Sequence, residues 1–457
     1  MACFVPASLL FLQGVAACGR GADLAEAVVP TSAQQQQTCT LYVSASGSDK
    51  NSGSTPSSAI TLLGAARRAV AGNVVCIQPG NYSLASSFYP AHSGNPNAWI
   101  TFQNTGGGVV HILWTAGSNA PDRNMFHMYN ANFPNGPSYI EFKGLTLDGQ
   151  NVASNGFFCQ GSHHLRYLQN TIINQGSAGI GSMRCDYQTA DHNILYHNGY
   201  HGGWSSAISY NSSQWFDKYQ GLHNIVSNNI IAGSYDSSSY HTDGNGIIMD
   251  LSSGSYTAST ANTPPALIVN NVVYGNGGRC IENNVVTNIW VVNNTCYDNG
   301  LDLTLGPVGS ITSHSASHEY FVNNVVQSWD NRPPFMVQGS GSTNLIYSHN
   351  LIYGGSNSGV SDTNPADFRS TNPLFVNPPA FNPSNGGQYA NALNPAYLGS
   401  GLTLKSNSPA LDTGVDPASL AGSNSALIND MSRYIYSDIN GKPRPKGSPF
   451  TLGAYIP

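Results

Sequence analysis

Charge is what this sequence has least of. Lys, Arg, Asp and Glu make up 9% of its 457 residues, with 17 basic against 23 acidic side chains and a formal net charge of −6. So few cations argue against nucleic acid as a partner, because a phosphate backbone is held by clustered Lys and Arg. The surface must be built from Asn, Ser, Thr, Tyr and Gly, and any charge within an ordered region becomes a candidate for chemistry. From residue 168 to residue 352 amphipathic stretches long enough for a helix are also missing, as is the dense Leu framework of leucine-rich repeats. The apolar run from Cys3 to Cys18 is too short to cross a bilayer comfortably and has the length of a signal peptide.

What the sequence does have is a phrase that returns: an apolar residue, polar residues ending in Asn, then two or three apolar ones. Val226-Ser227-Asn228-Asn229-Ile230-Ile231, Val269-Asn270-Asn271-Val272-Val273 and Val322-Asn323-Asn324-Val325-Val326 are three instances. The anchoring Asn stands at Asn170, Asn193, Asn229, Asn271, Asn294, Asn324 and Asn350, with two steps of 23 residues and the rest longer. A period of roughly 20–30 residues marks a solenoid. Short Val/Ile/Tyr runs cut by Asn, Gly and Ser make its elements strands, and propeller blades would need a longer repeat. A coil of about 22 residues holds three strands and three turns, stacked at roughly 4.8 Å on the next coil. The expected fold is therefore all-β, a parallel β-helix with Asn side chains stacked at one corner. Each amide would bond its neighbours above and below, while the Asn itself takes the left-handed backbone of the turn.

Cysteines give a second handle. Cys159 and Cys185 each lie 15 residues after an anchor, if Gly144 fills the Asn position of its coil, so they are expected to stack and bond. Cys39 opens one expected strand, Thr40 to Val43, and Cys76 lies in another, Asn73 to Ile77, so a bridge is expected at the N-terminal cap too. Cys280 and Cys296 fall at different coil positions and are expected to stay unpaired thiols. Disulfides imply export. Val15-Ala16-Ala17-Cys18 has the form of a lipobox, which would lipidate Cys18. Residues 1–37 read as signal and flexible tether, 38–355 as the solenoid, and 356–457 as an irregular C-terminal cap.

The segment Leu41-Tyr42-Val43-Ser44-Ala45-Ser46-Gly47-Ser48-Asp49 through Gln78-Pro79-Gly80-Asn81-Tyr82 resembles the opening of secreted right-handed parallel β-helix proteins of the pectate-lyase superfamily. Asn372-Pro373-Leu374-Phe375-Val376 and Asp438-Ile439-Asn440-Gly441-Lys442-Pro443 resemble their closing phrases. The resemblance implies a right-handed coil with a short N-terminal capping helix, here Ala59 to Ala71, and an extended polysaccharide as partner. It covers most of the chain from Cys39 onward and matches the complete catalytic pattern of no single lyase family.

Two steps between anchors are too long for a coil: 36 residues from Asn193 to Asn229 and 42 from Asn229 to Asn271. Their excess must leave the coil as loops, which are expected to wall one groove. His201, Trp204, Trp215, Tyr240 and His241 are its candidate sugar-binding residues. Asp243 and Asn245, two apart around a glycine, with Asp250 after a short apolar strand, offer oxygen donors of the kind Ca²⁺ accepts. The competing reading of these residues is an Asp-Gly/Asn-Gly turn.

Arg279 and Lys218 are rare basic residues in this region and are candidate proton-abstracting bases. Together these residues point to a Ca²⁺-assisted polysaccharide lyase, in which a cation neutralises a uronate carboxylate and a base removes the C5 proton. A glycosidase using paired carboxylates drawn from Asp243, Asp250 and Glu282 is the alternative, and a non-catalytic carbohydrate-binding solenoid the third reading. His163, His164, His192, His197 and His201 match no compact ligand spacing and are expected to stack or hydrogen-bond. The protein is expected to act outside the cell, as a monomer with no transmembrane span.

Overall fold

Strands here are short because Asn, Gly and Ser interrupt every apolar run, and each interruption turns the chain through a corner. The computed structural model describes residues 38–200, 205–251, 263–381, 398–447 and 449–457. Three parallel sheets run through them, two of 11 strands and one of 8. One coil passes from His163–Leu168 in sheet A to Thr171–Ile173 in sheet B and Ile180–Met183 in sheet C, then returns to sheet A at Asp186–Asp191. This is a parallel β-helix. No described helix is long and apolar enough to cross a membrane.

Alternate residues point inward and fill the coil. Phe102, Phe142 and Tyr167 stack rung on rung, with ring centroids 5.3 and 6.4 Å apart. All three are fully buried, and burying such a side chain is worth about 1.5–3 kcal/mol. Near the N-terminal end, the helix Leu62–Arg68 begins at Thr61, whose hydroxyl accepts from the Gly64 N–H at 2.9 Å, and it buries Leu62, Ala65 and Ala66.

The seven anchor Asn residues occupy one corner, between sheets A and B. Each Nδ2 donates to Oδ1 of the next anchor, from Asn170 to Asn193 at 3.1 Å through to Asn324 and Asn350 at 2.9 Å. That same Oδ1 also accepts the backbone N–H of the preceding anchor. The left-handed turn falls to the residue before the anchor: φ is +55° at Asn228, +56° at Asn270, +54° at Asn293 and +58° at Asn323. Holding the stack and making the turn are therefore separate tasks of adjacent residues. A second, shorter amide row, including Asn276 and Asn299, lines the corner between sheets B and C.

Cys39–Cys76 and Cys159–Cys185 are bonded, but the register reasoning for the second pair needs correction. Asn170 stacks on Leu145 rather than Gly144, and Cys159 pairs in register with Ser182. Cys185 sits at the following corner, close enough to bond at a Cα–Cα distance of 6.4 Å. The expectation of free thiols at Cys280 and Cys296 is overturned, for they too are bonded, with Cα atoms 5.8 Å apart. Stacking is not required. Cys280 precedes a sheet C strand and Cys296 lies in the sheet B strand of the next coil, so the bond crosses the interior.

Residues 398–457 pack along the side of the coil. Leu402, Leu404, Leu452 and Tyr455 cover outward residues of sheet B such as Val272 and Val325. Leu427, Met431 and Ile435 cover Val269, Trp290 and Val292 of sheet A. Sheet C receives no such cover from this segment among the described residues, and its outward positions are mainly polar. That leaves the outward face of sheet C uncovered by this segment.

Candidate functional site

Outward positions on sheet C repeat every second residue and stack across coils. One row carries Ser209, Ile248, Glu282 and Thr312; the next carries Asn211, Asp250, Asn284 and His314. The face forms a cleft of about 680 Å³, with Phe158 near one end and Gln338 near the other.

Asp243 reaches the cleft from the loop at the corner between sheets B and C. Asp236 holds that loop, its Oδ2 accepting from the backbone N–H groups of Thr242 at 2.9 Å and Asp243 at 3.1 Å. Gly278 lets the loop lie close, because a Cβ there would meet the Asp243 carbonyl oxygen at 2.3 Å and Asn245 Oδ1 at 2.6 Å. Asn245 is the hinge of the site. Its Oδ1 accepts the Arg279 N–H at 2.8 Å, while Nδ2 lies 3.0 Å from Glu282 Oε2 and 3.4 Å from Asp243 Oδ1. One amide thus spans two carboxylates.

Glu282 also pairs with Arg279, whose Nη1 lies 3.1 Å from Oε2, both side chains being buried. Asp250 accepts from Asn211 Nδ2 at 2.8 Å on one oxygen and from Asn284 Nδ2 at 2.9 Å on the other. Burial, then repulsion from Glu282, Asp236 and Asp250, pushes the Asp243 carboxyl up to about 8 against the pull of Arg279. Burial likewise raises Glu282, opposed chiefly by Arg279. The site therefore joins a carboxyl that keeps its proton at neutral pH to a carboxylate fixed by two amides. Such a pair suits general acid–base work.

Asp243, Asp250, Arg279 and Glu282 share this cleft, but Lys218 does not. The long coils bulge at two corners, not one. Residues 233–246 leave between sheets B and C and wall the sheet C cleft. Residues 212–223 leave between sheets C and A, carrying Trp215 and Lys218 to a separate cleft of about 730 Å³ beside Trp290 and Tyr320. Tyr240 is exposed, and His241 binds Asp302 at 2.9 Å. His201 and Trp204 lie outside the described residues, as does the proposed signal and tether.

The histidines stack. His164 lies between Tyr139 and Tyr187 at 4.4 and 4.3 Å, His223 stacks on Tyr187 at 4.1 Å, and His197 bonds Asn174 at 2.7 Å. Of the suggested Ca²⁺ ligands, Asn245 turns its oxygen to the Arg279 backbone, each Asp250 oxygen accepts from one amide, and the Arg279 cation sits beside Glu282. Among the described residues no three of His, Cys, Asp and Glu form a metal-holding group.

Similar proteins carry the same architecture. The chain is similar in structure to pectate lyase Pel9A, at 16% identity over 92% of this chain and 96% of that one, with a TM-score of 0.53. It is also similar to a protein described as a glycoside hydrolase, at 8% identity over 73% and 95%, with a TM-score of 0.51. At these identities the likeness establishes the parallel β-helix. No protein-family model and no curated protein matches the sequence.

Sequence reasoning missed Asn211, Asn284, Asp236 and His314. Asn211 and Asn284 were within reach, since both fall at the last position of a sheet C strand, in register with Asp250.

Proposed function

We propose that the protein cleaves a polysaccharide at the sheet C cleft by general acid–base hydrolysis of a glycosidic bond. The observation that carries this reading is the gathering of Asp243 and Asp250 from one coil and Glu282 from the next onto one uncovered face. Asp243 donates its proton to the leaving glycosidic oxygen. Asp250 supplies the opposing carboxylate that activates water or meets the sugar cation. Glu282 is a positioning residue: after burial, its repulsion is the next cause that keeps the proton on Asp243, and Arg279 holds it in place. Three disulfides support an extracellular site of action, and the helix Leu62–Arg68 serves to close the N-terminal end of the coil.

β-Elimination is the second reading, supported by Arg279 in the cleft and the likeness to a pectate lyase. It needs a base, yet no Lys lines the cleft among the described residues and Arg279 is engaged by Glu282. The products separate the two. Hydrolysis yields reducing ends with no ultraviolet-absorbing unsaturated ends and is indifferent to EDTA. Unsaturated products lost on chelation would establish the lyase.

A pH profile tests the role of Asp243. Activity should fall as pH rises through about 8, where this acid loses its proton. In Glu282→Gln the same limb should move to lower pH, because one repelling charge is gone and Arg279 is released to stabilise the Asp243 anion. An unmoved limb would remove Glu282 from that role.

A further inference from the structure

We infer that the substrate is a neutral glycan rather than a polyuronate, an inference that rests on reading the sheet C cleft as the site of glycan cleavage. The cleft presents three acidic side chains against one Lys or Arg, Arg279, among its described lining residues. Asp243 keeps its proton, Glu282 is paired with Arg279, and Asp250 is held by the amides of Asn211 and Asn284. Each residue of a polyuronate brings another carboxylate. Such a chain would meet repulsion at the reacting centre and no unpaired guanidinium or ammonium to offset it.

Among the described residues no further Lys or Arg lines the cleft. Residues 201–204, 252–262 and 382–397 contain no Lys or Arg, and the only one outside the described residues is Arg20. The molecule's cations are spent elsewhere. Lys143, Arg166 and Arg433 line a separate cleft of about 820 Å³ on sheet A, and Lys218 lines the cleft beside Trp290.

What the sheet C cleft does offer suits uncharged sugar. Asn155, Ser206, Ser209 and Gln338 provide hydroxyl and amide groups, and Phe158 and Ile248 provide apolar surface for ring faces. The lining runs from the strand Phe157–Gln160 to the strand Phe335–Gln338 across seven strands of sheet C. At about 4.8 Å per strand this is roughly 29 Å, so several sugar rings fit along the solenoid axis.

The test uses one polymer in two charge states. The secreted protein is given polygalacturonate and its fully methyl-esterified form, alongside alginate and neutral xylan, mannan, galactan and β-glucan, with and without added Ca²⁺. Reducing ends and ultraviolet absorbance are followed. Cleavage of at least one neutral polymer, at tenfold or more the rate on any polyuronate, is expected. Polyuronate cleavage at an equal or higher rate, including cleavage that appears only with Ca²⁺, would overturn the inference. Binding of the same panel to Asp243→Asn separates this idea from the catalytic one. Neutral oligosaccharides bound tenfold more tightly than charged ones, without turnover by the native protein, would sink the hydrolase reading and keep the charge preference. Preferred binding of the charged chains, or binding of none, overturns the preference itself.

Discussion

At Asp243 a carboxyl is held where it is unstable as an anion, and that has a consequence for the whole fold. Its pKa rises on folding from about 4 in an unfolded chain to about 8. Between those values the folded protein keeps a proton that the unfolded chain has lost, so stability falls as pH climbs through that window. Asp243→Asn removes the titration. It should raise stability at pH 8 by about 1–3 kcal/mol in denaturant melts while lowering activity roughly 10²–10⁴-fold. A variant that is both inactive and destabilised would mark Asp243 as structural. Lys218→Ala, by contrast, should leave turnover within about twofold, because its cleft is separate.

These residues also show what the sequence could and could not give. Scarcity of charge singled out Asp243, Asp250, Arg279 and Glu282, and the structure brings them together. Scarcity could not say at which corner a loop leaves the coil, so Lys218 was grouped with them. Asn245 was read as a ligand because its type fits a cation site. Only the backbone of the next coil shows that its oxygen is already engaged at Arg279.

Among the elements, the anchor corner was legible because an amide row leaves a periodic mark in sequence, while the division of labour within it was not. Asn293 and Asn294 are neighbours of the same type with different work. Asn293 makes the turn at φ +54°, and its buried amide atoms have no partner among the described residues. Asn294 donates to Asn324 Oδ1 and the Ile268 carbonyl and accepts from Asn271. Asn293→Gly should change stability by less than about 1 kcal/mol. Asn294→Ala should cost about 2–4 kcal/mol, since it strands buried partners on both adjoining rungs. Equal losses in chemical denaturation would contradict this division. The Cys280–Cys296 bond was missed for a related reason: counting positions along a coil reveals residues that stack and is blind to those that face each other across it. Its closed loop spans 16 residues, and Cys280→Ala/Cys296→Ala should cost roughly 3 kcal/mol in the chain-entropy model.

On the scale of the whole molecule, the C-terminal segment is a buttress along sheets A and B. Arg444 is buried there, donating to the carbonyls of Thr451 and Gly453 and lying 3.5 Å from Asn270 Oδ1. Removing residues 398–457 would bare Val269, Trp290 and Val292 on sheet A and Val272 and Val325 on sheet B, two apolar surfaces of the kind that drives association. The truncated chain should therefore aggregate, as read by light scattering, whereas a chain that stays dispersed with native activity would show the segment to be dispensable.

The row of anchor amides has one further property. Every link runs the same way, Nδ2 of one coil to Oδ1 of the next, from Asn170 to Asn350. Backbone N–H and C=O groups between coils alternate in sense, and their dipoles largely cancel; the seven side chains add. The solenoid thus carries a polarised wire along one edge, and its two ends are chemically unlike. At Asn170 the terminal oxygen acceptor role is filled for Leu145, and at Asn350 the last amide donates to the carbonyls of Phe321 and Asp367. A chain lengthened by copying whole coils would extend this vector without reversing it, whereas a coil inserted with its anchor amide flipped would set two like poles face to face.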